Sequence, residues 1–190
     1  MDLTIKTWYS SYGVMIMLII ENGSIGASEQ KAVAALFYKK LSADPVFRAA
    51  FPDPAVGRAH CGEFVDAYAR EGEIHRATED GMLAAAALWS LPGQAVPSPT
   101  WDFSPEEPCC KLYLMASRRP GAGSALLHYA AGRFAGLNIV TLCGTARQSA
   151  YFRRRGFEER GKTAFGTVLI RECGVFSPKD DCGPGQSAHF

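Results

Sequence analysis

The chain is short of charge of either sign in excess. Its 20 Lys and Arg against 19 Asp and Glu leave a formal net charge of +1, so no global field recommends a nucleic acid or an anionic membrane as partner, and any anion site has to be local. It has only four histidines, and none stands at zinc-ligand intervals. Its six cysteines, Cys61, Cys109, Cys110, Cys143, Cys173 and Cys182, never form a C-x-x-C pair. They are expected to be reduced thiols in a reducing compartment, with no structural metal. The one segment that could serve as an address, GVMIMLII at 13–20, is far shorter than the roughly 20 residues that cross a bilayer. As a secretory leader it lacks a basic start, since Asp2 and a single Lys6 precede it; a buried first strand in a cytoplasmic protein is expected instead. No internal repeat is present.

What is there is a chain of 190 residues, 47% hydrophobic, enough for one domain with a substantial core. That domain is expected over residues 1–176, with the role of 1–27 unassigned, and 177–190, which lack periodicity, as a disordered tail. Ser28 is placed to cap a helix whose apolar positions Val33, Leu36, Phe37 and Leu41 share one face. Pro45, Pro52 and Pro54 punctuate a short helical turn, and a second helix is expected over His60–Arg70, with Phe64, Val65 and Tyr68 on one stripe. Asp80-Gly81 supplies a two-residue turn, so GEIHRATEDGMLAAAALWSLPG reads as a β-hairpin despite its alanines. QAVPSPTWDFSPEEP is a proline-rich surface loop. From CKLYLMA onward the order is strand, glycine turn, helix, strand, helix and a final strand pair. Such alternation predicts an α/β or α+β sheet with helices on its faces.

The stretch SRRPGAGSALL, residues 117–127, invites the question of which anion it holds. A dinucleotide fingerprint needs a third glycine, where this chain has Leu126, and an acidic residue about 20 positions on, which is absent. A phosphate-binding Walker loop needs Gly-Lys-Ser/Thr, also absent. What remains is a turn whose glycines allow close approach and whose N–H groups open a helix, with the positive end of the macrodipole behind them. Such a turn suits a pyrophosphate, and Arg118 and Arg119 add charge at its mouth. The plainer alternative is a simple strand-to-helix connection with solvated arginines.

Arg118-x-x-Gly121-x-Gly123, after a strand and before a helix, resembles the acetyl-CoA pyrophosphate motif R/Q-x-x-G-x-G/A of the GNAT superfamily of N-acetyltransferases. TARQSAYFRRRGFEERG resembles that superfamily's second signature, a tyrosine-bearing helix running into Gly-Phe. SADPVFRAAFPDP and AAALWSLPG are similar to a branch that includes puromycin N-acetyltransferase. The four motifs stand in the family's order over about residues 30–172. The resemblance implies a three-layer α/β (α+β) fold: a central mixed, twisted sheet of about six to seven strands, splayed between the fourth, KLYLMA, and the fifth, NIVTLCG, with helices on both faces. It implies acetyl-CoA as cofactor, its pantetheine in the gap beside Leu114 and Met115, and its pyrophosphate on the amides of Gly121, Ala122, Gly123 and Ser124, with Arg118 and Arg119 alongside.

The chemistry implied is transfer of acetyl to an amine. Positioning, worth up to roughly 7–11 kcal/mol, dominates such a reaction, and the Met115 N–H is the expected oxyanion donor. The family's acid is often a tyrosine four residues before Gly-Phe, and here that position is Phe152. Tyr151 is the expected substitute and Ser149 a weaker one; Gln148 and Phe152 are assigned to the cofactor. KLYLMA carries no acidic residue, so the base many relatives draw from that strand is missing. Asp102, Glu106, Glu107 and His75 are candidate substitutes, each more simply read as a solvated or structural polar residue, and water remains an alternative. FRRRG, residues 152–156, is a candidate for the cofactor's 3′-phosphate or else a solvated helix end. Trp89 and Trp101 are candidates for an acceptor pocket or core. Cys143 is read as a structural thiol, which leaves direct attack as the route.

The expectation is therefore an acetyl-CoA-dependent N-acetyltransferase acting on a primary amine of a small molecule, a metabolite or antibiotic-like compound. It has no metal, no nucleic-acid or membrane partner, and is a monomer or homodimer in the cytoplasm. The alternative is a catalytically silent coenzyme-binding sensor or assembly domain.

Overall fold

The computed structural model describes residues 3–11, 14–96 and 108–173. The first two strands, β1 (Leu3–Ser11) and β2 (Val14–Asn22), pair antiparallel. The apolar run expected as a first strand is thus the second, and β1 precedes it in the stretch left unassigned above. Helices α1 (Ala27–Leu41), α2 (Pro45–Ala50) and α3 (Pro54–Glu71) follow, then the hairpin β3 (Glu73–Glu79) and β4 (Met82–Ser90). The second half runs β5 (Cys109–Ser117), α4 (Ala122–Arg133), β6 (Asn138–Cys143), α5 (Ala146–Arg153), β7 (Glu158–Thr163) and β8 (Gly166–Arg171). All the strands form one mixed eight-stranded sheet in the order β1-β2-β3-β4-β5-β6-β8-β7, one strand more than the upper expectation. Only β5 and β6 are parallel.

Local chemistry explains the helix starts. The first helix is capped at Gly26, whose N–H donates to Glu29 Oε2 at 3.0 Å, and Ser28 lies inside the first turn instead of capping it. The Asp44 and Asp53 carboxylates accept from Val46 N at 2.8 Å and Ala55 N at 2.7 Å, each just before a proline at the first helical position. The second of these caps starts α3 six residues earlier than periodicity suggested. Asp80 and Gly81 both have positive φ, 50° and 74°, the geometry of a mirror-image two-residue hairpin turn.

The sheet buries both faces. On one face Leu18, Ile20, Trp89 and Leu112 pack with Leu126 of α4 and Phe152 of α5. On the other, Ile74, Leu88 and Ala116 pack with Val33 and Phe37 of α1 and Val65 of α3. The fully buried Ala84–Ala87 segment of β4 lets helices approach closely from either side. No helix of the described residues is long and apolar enough to cross a membrane.

Candidate functional site: a fork in the sheet

The pairing of β5 with β6 ends early. Cys109, Cys110, Lys111 and Leu112 match Asn138, Ile139, Val140 and Thr141, and beyond that β5 continues to Ser117 alongside β4 alone. Thr141 Oγ1 donates to Leu112 O at 3.3 Å at the crotch. On the other side of β5 the register slips at the same place: Trp89 faces Leu112 and Leu88 faces Leu114, which leaves Tyr113 as an extra, unmatched residue. A bulge bends its strand and raises the local twist, so it steers β5 away from β6. It also places two successive side chains on one side. Leu112 and Met115 pack toward α4, whereas Tyr113 and Leu114 both pack toward α1 and α3.

On the α4 side of the fork, Gly121 caps α4 at φ 84° and ψ −30°, a conformation that only glycine adopts without strain. Ala122, Gly123 and Ser124 form the first turn, whose N–H groups have no partner inside the helix. The Ala122 N–H bends back to Arg119 O at 3.4 Å. Ser117 Oγ holds the entry, donating to Arg119 O at 2.5 Å and accepting from Arg119 N at 3.2 Å. Arg119 pairs with Glu79 at 2.8 Å, and Arg118 is exposed with no carboxylate partner among the described residues.

Helix α5 delivers a second set of groups. Thr145 and Gln148 form a reciprocal capping box, with Thr145 Oγ1 accepting from Gln148 N at 3.2 Å and Gln148 Oε1 accepting from Thr145 N at 3.0 Å. Tyr151, half-buried, brings its hydroxyl against the first turn of α4. A Cβ built on Gly123 would lie 3.0 Å from Tyr151 Oη and 3.6 Å from Met115 Cε. Over the Tyr151 ring, 3.5 Å from its centroid, lies the guanidinium of Arg155. Arg155 Nε and Nη2 donate to Ser124 Oγ at 3.0 and 2.6 Å, and Nη1 donates to Tyr151 O at 2.7 Å. No carboxylate among the described residues pairs with Arg155. A cation beside the positive end of a helix is unfavourable unless an anion joins it, so the first-turn N–H groups of α4, Arg155 and Arg118 could together hold an anion.

The structure thus brings Met115 and Tyr151 to the first turn of α4 at Gly123 and Ser124, beside Gly121 and Ala122, whereas Leu114 faces the α1–α3 side and Arg119 is taken by Glu79. It adds Arg155, which the sequence offered only as one arginine of three; Arg153, its neighbour in that run, turns to Glu159. Other assigned residues lie elsewhere. Phe152 is 8% exposed, edge-on to Tyr151 and Phe157 inside the core. Ser149 is buried and hydrogen-bonds the Cys143 thiol, whose pKa is pushed up to about 11 by burial, with that bond opposing the rise. The Gln148 side chain is occupied by its capping role.

His75 and Trp89 are both fully buried on the α4 face, packed on one another and on Phe134. Neither lines the fork, so both are removed as candidate base and acceptor-pocket residues. Asp102, Glu106, Glu107, Trp101, Cys182 and the 177–190 tail lie outside the described residues.

On the opposite side, the fork opens into a cavity of about 250 Å³. The strands contribute Tyr113, Leu114 and Leu142; the helices contribute Phe37 and Leu41 from α1, Phe47 from α2, and His60, Cys61 and Phe64 from α3. The Tyr113 ring stacks on Phe64 at 5.1 Å and 7°, and burial pushes its hydroxyl up to about 12, so it stays protonated.

Solved structures share this architecture. One from Corynebacterium glutamicum, described as a histone acetyltransferase and related acetyltransferase, is 23% identical, with 78% of this chain and 92% of that one covered and a TM-score of 0.60. An acetyltransferase of the GNAT family from Streptococcus agalactiae is 14% identical, with 80% and 92% covered and a TM-score of 0.56. An N-acetyltransferase from Thermoplasma acidophilum, solved in complex with coenzyme A, is 9% identical, with 80% and 98% covered and a TM-score of 0.56. At these identities the likeness establishes a common fold, that of GNAT acetyltransferases. No protein-family model matches the chain, and no curated protein does.

Proposed function

We propose that this chain is an acetyl-CoA-dependent N-acetyltransferase that acetylates a primary amine on a small molecule by direct attack. The observation that carries the reading is the convergence at the fork: an open strand edge, a helix N-terminus with no side-chain cap and a tyrosine hydroxyl meet around Gly123. The shared fold supports it, and the Thermoplasma acidophilum protein with that fold binds coenzyme A.

The residues present fit the coenzyme. The first-turn amides of α4, with Arg155 and Arg118 beside them, would hold a diphosphate. The open edge of β5 at Leu114 and Met115 offers main-chain groups to an extended amide chain, as one strand does to another. Acetyl-CoA supplies a thioester carbonyl and a thiolate leaving group. The Met115 N–H is the group assigned to an oxygen gaining negative charge. The Tyr151 hydroxyl, held by its contact with Gly123 and by Arg155 over its ring, is the group assigned to carry a proton to the leaving sulfur. A thiol with pKa near about 8.5 leaves readily, so this donor accelerates the step without being indispensable. The Cys143 thiol, protonated at neutral pH, is unsuited to a covalent route.

Calorimetric titration with acetyl-CoA, beside a thiol-release assay over a panel of amines, tests the assignment. Binding with amine-dependent thiol release is expected. Binding without release on any amine would replace the enzyme with a coenzyme sensor, and no binding would remove both readings.

A further inference from the structure

The cavity on the α1–α3 side of the fork carries information about the acceptor. It is separate from the first turn of α4 and reaches the same strand edge from the opposite face, because the bulge turns Tyr113 and Leu114 away from Met115. A donor held along the fork from one face and an acceptor entering from the other would meet there.

We infer that this cavity takes the apolar body of the acceptor, and that the acceptor is a primary amine carried on a single aromatic ring by a short alkyl link. The inference rests on the acetyltransferase reading above and narrows it. No Asp, Glu, Lys or Arg among the described residues lines the cavity. Its ionisable groups are His60, the Cys61 thiol, which burial pushes up, and the Tyr113 hydroxyl. A second ammonium or guanidinium buried there would have no counter-charge, at a cost of several kcal/mol. The described lining therefore disfavours polyamines, aminoglycoside-like polycations and basic peptides, and with them the polycationic members of the antibiotic-like class considered from sequence.

The lining selects a ring in particular. Phe37, Phe47, His60, Phe64 and Tyr113 present aromatic surfaces from four different elements. His60 is itself stacked on Phe51 at 4.4 Å and meets Phe64 edge-on at 5.0 Å, so the walls are held by ring contacts of their own. Flat apolar guests gain offset and edge-to-face contacts in such a site. A cavity of roughly 150 Å³ accepts benzene, so about 250 Å³ accommodates one ring with a two-carbon link.

The test compares 2-phenylethylamine, spermidine and a lysine-containing peptide as acceptors in the thiol-release assay with the full chain. Phenylethylamine is expected to show a KM at least tenfold below the other two. Filling the cavity from α1 with Leu41→Phe should raise that KM at least tenfold. Enlarging it from α2 with Phe47→Ala should shift preference toward 2-(1-naphthyl)ethylamine, and thermal melts confirm that both variants are folded. Equal or better use of spermidine or the peptide, or a KM indifferent to both cavity variants, would overturn the inference. Calorimetry of phenylethylamine with the protein alone reads the cavity without coenzyme. A failure of acetyl-CoA to bind counts against the enzyme reading only; loss of amine binding counts against the cavity.

Discussion

The Tyr151 hydroxyl lies 3.0 Å from the point that a Cβ on Gly123 would occupy, so the first turn of α4 and the middle of α5 are packed to the limit of a hydrogen atom. Gly123→Ala should therefore displace the tyrosine, lower thiol release about tenfold, and cost roughly 1 kcal/mol of stability from overpacking. In a Tyr151→Phe background, where the oxygen is gone, the same substitution should cost less than half as much. Equal losses in the two backgrounds, measured by denaturant unfolding as a double-mutant cycle, would refute the contact.

Gly121 sits at φ 84°, a region costly for a β-branched residue and tolerable for asparagine. Gly121→Val should raise the acetyl-CoA dissociation constant at least tenfold, about 1.4 kcal/mol, and Gly121→Asn should stay within about threefold, since asparagine keeps the turn and its amides. Calorimetry checks both. Arg118→Ala combined with Arg119→Ala should also weaken binding about tenfold by removing charge at the mouth.

His75 is fully buried between Trp89, Tyr129 and Phe134. Burial holds its pKa below the ordinary histidine value of 6.5; the Glu73 carboxylate at 3.1 Å opposes that shift and Arg133 from α4 adds to it. The unfolded chain takes up this proton near 6.5 and the folded chain only lower, so stability is whole above about 6.5 and falls as pH drops below it. For Glu73, burial pushes upward, but His75, Arg133 and Asn22 outweigh it and keep the carboxyl below its usual 4.5. Its stabilisation is lost at lower pH still, as pH falls from about 4.5 through the folded value. Urea unfolding at pH 7.5 and 5.0 should show the decline, and His75→Gln should flatten it over that window.

Cys143→Ala should retain thiol release within about threefold, because a thiol raised to about 11 by burial supplies almost no thiolate at neutral pH. A hundredfold loss with an unchanged melting temperature would demand a covalent route.

Much of this architecture could be read in advance because local chemistry agreed with the global fold. Asp80-Gly81 forced a hairpin even though Ala84–Ala87 favours helix by propensity, since the turn and the burial on both faces outweigh a weak intrinsic preference. Gly121 and Gly123 stood out because few other residues fit their positions. The bulge at Tyr113 left no such mark: no glycine or proline signals it, and it arises from how β4 and β5 settle against their helices. The inward turn of Phe152 and the outward turn of Tyr151 differ by about 100° on a short helix, a distinction set by the packing of Phe157. The cavity stayed hidden for a related reason. Its walls come from five separate elements, and Phe37 and Phe64 look like ordinary core until the strands part.

The extra residue at Tyr113 gives β5 two successive side chains on the α1–α3 side and parts it from β6. Were that single position deleted, strict alternation would return to β5 and the strand would straighten, leaving Leu114 alone on the α1–α3 side between Leu112 and Met115. The edge of β6 at Leu142 and Cys143 would then be free to zip onto its neighbour and close the fork. One surplus amino acid thus divides a doorway from a wall.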